Sequence, residues 1–300
     1  MKFIKSLFFL AVAAFSSSAS AQVFYEISGN GLEAPSYIFG THHLAPLSII
    51  EKYNIPEYID RTQQVVGEID LTQDQMAIAM AMQPYMMAPA DSTLSKILSP
   101  EDYEIANEAF KKFAPMPGID LSMFEPLKPM VVETTVTAGI MSQLMPGFDP
   151  NSQLDTYFMT TGKETGKKIV GLETPDFQAN LLFNFVPITA QAEDLLEMLK
   201  QPEKTVEMMQ KLNEAYLAGD LEAMQALQDE EDVNSDFNNA LLDKRNADWL
   251  TKLPSIMSEG PAFIAVGALH LAGDKGVITG LRNLGYTVEE ITVEQPAMAQ

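Results

Sequence analysis

Apolar runs that stop at a glycine alternate along this chain with helical stretches, and that alternation predicts an α/β protein built on a central sheet. Residues 23–28 and 37–40, joined through Asn30-Gly31, read as two strands. Residues 47–64 read as helical, with Pro56 as a break, and Val65-Val66-Gly67-Glu68-Ile69-Asp70 reads as a buried strand ending in acids. From about 71 to 161 the pattern becomes helical and rich in methionine, as expected of a helical insertion between the halves of a sheet. Ser99-Pro100-Glu101-Asp102 is a helix start, with an N-cap serine, proline in the first turn and acids beside the positive end of the helix dipole. The helix it opens places Tyr103, Ala106, Ala109, Phe110 and Phe113 on one face, and Val132, Val136 and Ile140 mark another.

Strand character returns at Lys168-Ile169-Val170-Gly171-Leu172-Glu173. Helical patterns cover 177–185, 190–229 with an interruption near Gly219, and 235–257. A strand at 261–267, a short helix at 275–284 and a final strand at 286–291 complete the order, and the tail 295–300 is expected to be loose. Residues 22–294 are read as one domain.

The three histidines lie at two matching places: Gly40-Thr41-His42-His43 and Gly267-Ala268-Leu269-His270 each put a histidine three residues after a strand-breaking glycine. Ligands in open α/β sheets bind beyond the carboxyl ends of strands, so His43, His270, Glu68 and Glu173 would converge there if their strands are parallel neighbours. Imidazole nitrogens with carboxylate oxygens suit zinc, manganese, cobalt or iron, and a metal-bound water can become a hydrolytic nucleophile. Taken singly, each histidine reads first as a hydrogen-bonded structural residue and each glutamate as a surface or turn residue; the joint placement after apolar strands reverses that reading for His43 and His270 and leaves Glu68 and Glu173 open. His42 lacks the matching spacing, and neighbours in extended backbone point to opposite faces, which leaves it a supporting or substrate-contacting role. Thr41 is the one hydroxyl with a claim to the site, and Asn246 could support it. Arg245 offers a planar fork that would clamp a peptide terminus or steady Glu68 or Glu173; the plainer alternative is a surface ion pair. Trp249 reads as core. Met76, Met80, Met82, Met86 and Met87 suit either core filling or an adaptable lid over a peptide. No G-x-S-x-G, H-E-x-x-H, Walker A or G-x-G-x-x-G motif occurs.

Composition narrows the setting. Lys2 and Lys5, an apolar run at 7–15 and Ala19-Ser20-Ala21 follow the plan of a cleaved secretory signal at 1–21, so export to the periplasm or beyond is expected. The absence of cysteine excludes disulfides and thiolate metal sites. A formal charge of −22 argues against nucleic acid and anionic membranes as partners, and no later apolar run reaches spanning length.

Phe39-Gly40-Thr41-His42-His43-Leu44, Gly67-Glu68-Ile69-Asp70, Gly171-Leu172-Glu173-Thr174 with Gln178, Arg245-Asn246, and the block from Val266 to Val277 together resemble the TraB/GumN family, which includes the Tiki proteins. The resemblance implies a mixed sheet of two pseudo-repeated halves flanked by helices, related to the erythromycin-esterase and ChaN-like folds. For Tiki members it implies a metal-dependent peptidase favouring manganese or cobalt. Carried over, the metal ligands are His43, His270, Glu68 and Glu173; the catalytic acids are the same glutamates, with Arg245 as a further site residue. His42 stands where many relatives have an aliphatic residue. Other branches are associated with pheromone shutdown or polysaccharide gene clusters, so the resemblance also admits a non-catalytic binder of a peptide or of a metal or haem group, or an envelope scaffold.

Overall fold

The computed structural model describes residues 22–114, 118–145, 148–150, 152–230 and 235–292. The expected leader at 1–21 and the tail at 295–300 lie outside them. Six strands form one mixed sheet in the order β4-β3-β5-β2-β1-β6, with β1 Phe24–Ser28, β2 Ser36–Thr41, β3 Gln64–Gly67, β4 Lys168–Gly171, β5 Ala262–Gly267 and β6 Thr287–Glu290. β4, β3, β5 and β2 run parallel, whereas β1 is antiparallel to both β2 and β6. The two histidine-bearing strands are therefore parallel neighbours. Gly67 pairs with Gly171 and with Ala265, and Thr41 with Gly267, so the four carboxyl ends finish nearly level.

Alternation along the strands gives the sheet two faces, both buried at the central strands β2, β3 and β5. On one, Phe24, Phe39 and Phe263 meet Tyr53 and Tyr58 from the segment after β2 and Phe158 from helix Leu154–Glu164 in an aromatic cluster, many of its contacts edge-to-face. On the other, Gln64 donates to the carbonyls of Ile256 and Gly260, which seats helix Lys244–Glu259 against the sheet. A second apolar cluster lies apart from the sheet. There Ala106, Phe110 and Phe113 of helix Pro100–Phe113 pack with Val132, Val136 and Ile140 of helix Pro129–Leu144 and with Leu195 and Leu199 of helix Ile188–Lys200. Ser99 caps its helix through the N–H of Asp102, as its sequence predicts.

Two boundaries differ from expectation. The helical stretch after β2 breaks at Asn54, which adopts the left-handed conformation, and Pro56 sits in the first turn of the next helix, Ile55–Asp60, where its missing N–H costs nothing. The long stretch before Gly219 is two helices, Ile188–Lys200 and Pro202–Ala218, split at Gln201-Pro202. The break at Gly219 itself is as expected, with that glycine left-handed.

Gly40 explains why the first motif needs a glycine. A Cβ there would stand 2.9 Å from the Cα of Ala268, so its absence lets the second histidine motif cross the end of β2 at backbone contact. Among the described residues no helix is long and apolar enough to cross a membrane.

Candidate functional site

A cavity of about 500 Å³ opens beyond the carboxyl ends of the parallel strands. Its floor is polar and centred on Arg245, which helix Lys244–Glu259 carries in its first turn directly after a π-helical turn at Asn239–Asp243. Arg245 uses all five N–H donors. Nε donates to Glu173 Oε1 at 2.8 Å and Nη2 to Glu173 Oε2 at 2.8 Å and to Glu68 Oε2 at 2.6 Å. Nη1 reaches the Leu241 carbonyl at 3.1 Å and His270 Nε2 at 3.0 Å.

Because guanidinium can only donate, His270 Nε2 must accept, which places the ring proton on Nδ1. That nitrogen donates to Asn246 Oδ1 at 2.6 Å, and Asn246 is itself oriented by donating Nδ2 to the Lys275 carbonyl at 3.0 Å. Burial, with Arg245 adding to it and Glu68 opposing, pushes the His270 pKa down to about 4, so the imidazole is neutral near pH 7. Its ring lies 4.3 Å from that of Trp249.

The two glutamates differ in what they leave open. Glu173 has a side chain only 1 % exposed, and four donors reach its two oxygens: Arg245 twice, Trp249 Nε1 at 2.9 Å and Gln178 Nε2 at 3.4 Å. Its four lone-pair positions are thereby occupied. Glu68 Oε2 is also filled, by Arg245 and by Gln178 at 2.9 Å, but Oε1 accepts only the Gly267 N–H at 2.9 Å and lies 3.8 Å from His270 Nε2. Burial alone would raise the Glu68 pKa; the charge His270 takes up in the same acidic range, Arg245 and the Gly267 N–H outweigh it and hold the carboxyl below its usual range. With one guanidinium against two carboxylates and a neutral imidazole, the floor carries an excess negative charge.

Thr41, His42 and His43 line the same cavity from the end of β2. His43 is 83 % exposed, makes a 3.2 Å hydrogen bond through Nδ1 with Gln153 Oε1, and lies 3.7 Å from Asp155 Oδ2. Thr41 donates to Asp155 Oδ1 at 2.8 Å. His42 turns the other way and packs 5.2 Å from the Tyr216 ring, with Nε2 buried and without a hydrogen-bond partner. Burial first, and His43 second, push its pKa down to about 4. Apolar side chains that line the rest of the cavity include Leu71, Leu181, Leu182, Leu212 and Leu241.

Glu68, Glu173, Arg245, Asn246 and His270 thus meet in one hydrogen-bonded network, and His43 stands apart from it on the same cavity with Asp155. Among the described residues no three His, Asp or Glu side chains are gathered closely enough to hold a metal ion as arranged; the donors come as two pairs. Asp155 was not legible as a site residue, because an acid in the first turn of helix Leu154–Glu164 reads as a complement to the helix dipole. Trp249 is core, as its sequence suggests, yet its indole N–H also fixes Glu173.

A parallel four-strand core with a charged cluster and a cavity at its carboxyl ends defines an α/β protein with a site at the expected place for ligand binding. The model of the TraB/PrgY/gumN family matches residues 23–290, nearly the whole chain, and the protein belongs to that family. Comparison with curated proteins and with solved structures finds no match.

Proposed function

We propose that this protein is a metal-dependent hydrolase of peptide bonds, using a divalent ion, manganese, cobalt or zinc, at the cavity floor. The observation that carries the reading is the convergence of Glu68 and His270 from adjacent parallel strands at the bottom of a cavity wide enough for several side chains. The donor chemistry fits such an ion in kind. Glu68 Oε1 retains an open lone pair, the floor has negative charge in excess, and neutral His270 would accept an ion by exchanging its bond from Arg245. When bound, such an ion supplies a water acidic enough to ionise near neutral pH.

The chain's own residues then have distinct tasks. Asn246 keeps the His270 tautomer, and Arg245 holds Glu68 in place while limiting repulsion between the two carboxylates. Glu173, saturated by its donors, acts through Arg245 as a positioning residue. The apolar walls would take the side chains of a peptide, and the leader-like segment 1–21 supports action in the periplasm or outside the cell. Those same walls favour a second reading, a peptide binder without turnover.

Metal analysis of the purified protein, with cleavage of a peptide library in the presence and absence of chelator, tests the proposal. Cleavage that is lost with chelator and reduced at least a hundredfold in His270→Ala is the expected result. Tight peptide binding without turnover would favour the binder, and failure to bind any divalent ion would overturn the metal-dependent reading.

A further inference from the structure

We propose that this protein pairs with a second copy of itself through the outer face of helix Gln75–Met86 and of helix Pro175–Asn184, which packs beside it. The first helix is apolar on two sides. Its inner stripe, Met82, Tyr85 and Met86, packs on Val131, Ala179 and Phe183. Its outer stripe, Met76, Met80 and Gln83, with Met87 just beyond the helix end, recurs every three to four residues and faces outward. Met76 is 68 % exposed and Met80 66 %, and Phe177, on the neighbouring helix, is 48 % exposed. A helix that is apolar all round is ordinarily buried, and contiguous apolar surface left in water marks an interaction site.

Charge identifies the occupant. Residues 75–90 and 177–192 contain no Asp, Glu, Lys or Arg, in a chain where those residues make up 20 % and the formal net charge is −22. The nearest acids in sequence ahead of them are Asp74, engaged as the N-cap of the first helix, and Asp176, in the first turn of the second. Two copies of so acidic a chain repel each other wherever carboxylates meet, and a charge-free face is where they can approach. A basic partner needs no such face, because the acidic surface attracts it everywhere. Helices that lie on membranes carry Lys or Arg beside their apolar face, and both stretches lack them. The outer stripe also stands apart from the cavity: among the described residues none of 75–86 lines it, so a peptide bound there leaves Met76 and Met80 uncovered. Gln178, Leu181 and Leu182 of the second helix do line it, so pairing braces one of its walls. A two-fold contact about two helices wide, each roughly 8–10 Å across, falls at the low end of interface sizes and suits a reversible dimer.

The test is sedimentation velocity of the purified protein from about 1 to 200 µM in about 0.15 M and 0.5 M salt. Wild type is expected to pass from monomer to dimer across that range, and more readily in the higher salt, which screens repulsion between copies and leaves apolar contact intact. Met80→Glu is expected to weaken the dimer at least tenfold, because two-fold symmetry brings two new acids into one interface. Met76→Glu repeats the measurement if Met80→Glu lowers the Tm. Leu284→Glu, at a 46 % exposed position ahead of β6 on the opposite edge of the sheet, is expected to leave the dimer unchanged. A wild type that stays monomeric throughout overturns the proposal, as does a dimer that both methionine variants leave intact or that Leu284→Glu weakens equally. A monomeric wild type that floats with phosphatidylcholine vesicles, where Met80→Glu does not, would assign the face to lipid and overturn the second copy. None of these readouts depends on metal or turnover.

Discussion

Arg245 is 5 % exposed and makes five hydrogen bonds to four different residues, which gives one side chain unusual control over the site. Breaking a buried ion pair leaves an uncompensated charge and costs about 3–5 kcal/mol. A lysine would keep the charge but offers three donors from one point, so it cannot meet Glu68, both oxygens of Glu173, His270 and the Leu241 carbonyl together. Arg245→Lys is therefore expected to lower unfolding free energy by about 2–4 kcal/mol in urea titrations. A loss below 0.5 kcal/mol would mean that the network reorganises around a point charge and that its fork geometry is unimportant. Steadying Glu68 or Glu173 was one of the roles the sequence offered for Arg245, because a planar fork matches carboxylates; its burial, which excludes a surface ion pair, was not legible. Nor was the pairing of Asp155, which depends on Thr41, a residue 114 positions away, donating to one carboxylate oxygen while His43 stands beside the other.

At the scale of elements, the signals that held were local. Apolar runs ending at Gly40, Gly67, Gly171 and Gly267 mark four parallel strands, and Ser99-Pro100 marks a helix start. The order of the strands was not legible, because β5 inserts between β3 and β2 through contacts some two hundred residues apart. Pro56 misled because proline breaks a helix interior yet is tolerated in a first turn, and only the left-handed Asn54 shows which applies. Gly139 makes the same point about tertiary override. Mid-helix glycine ordinarily costs about 1 kcal/mol relative to alanine. Here helix Pro129–Leu144 crosses helix Pro100–Phe113 so closely that a Cβ on Gly139 would lie 1.9 Å from the Phe113 carbonyl oxygen, beside the bond from Gln143 to the Lys112 carbonyl. Gly139→Ala is accordingly expected to destabilise by about 1–3 kcal/mol, against the helix-propensity trend. A rise in Tm would show that the two helices separate readily.

For the molecule as a whole, 41 acidic residues against 19 basic ones make repulsion a general feature, and one buried carboxylate adds a pH dependence opposite in sign to that of the buried, neutral His42 and His270. Glu133 lies in helix Pro129–Leu144 with Oε2 buried and unpartnered; burial first, and Asp194 second, raise its pKa to about 7. The unfolded chain releases that proton near pH 4.5, whereas the folded chain keeps it to about 7. Below pH 4.5 both states hold the proton and no penalty arises; between 4.5 and 7 the Glu133 contribution to stability falls as pH rises; above 7 that loss is complete, at about 1–3 kcal/mol. Glu133→Gln removes the titrating group while preserving its shape, so the variant should exceed wild type by about that amount at pH 8 and match it at pH 4.5. Salt separates this effect from surface repulsion: exposed charges are screened within about 5 Å in 0.5 M salt, and a buried carboxyl is screened far less. The difference between variant and wild type at pH 8 should therefore survive 0.5 M salt. A difference that vanishes in salt, or is equal at both pH values, would assign the effect to the acidic surface instead of to Glu133.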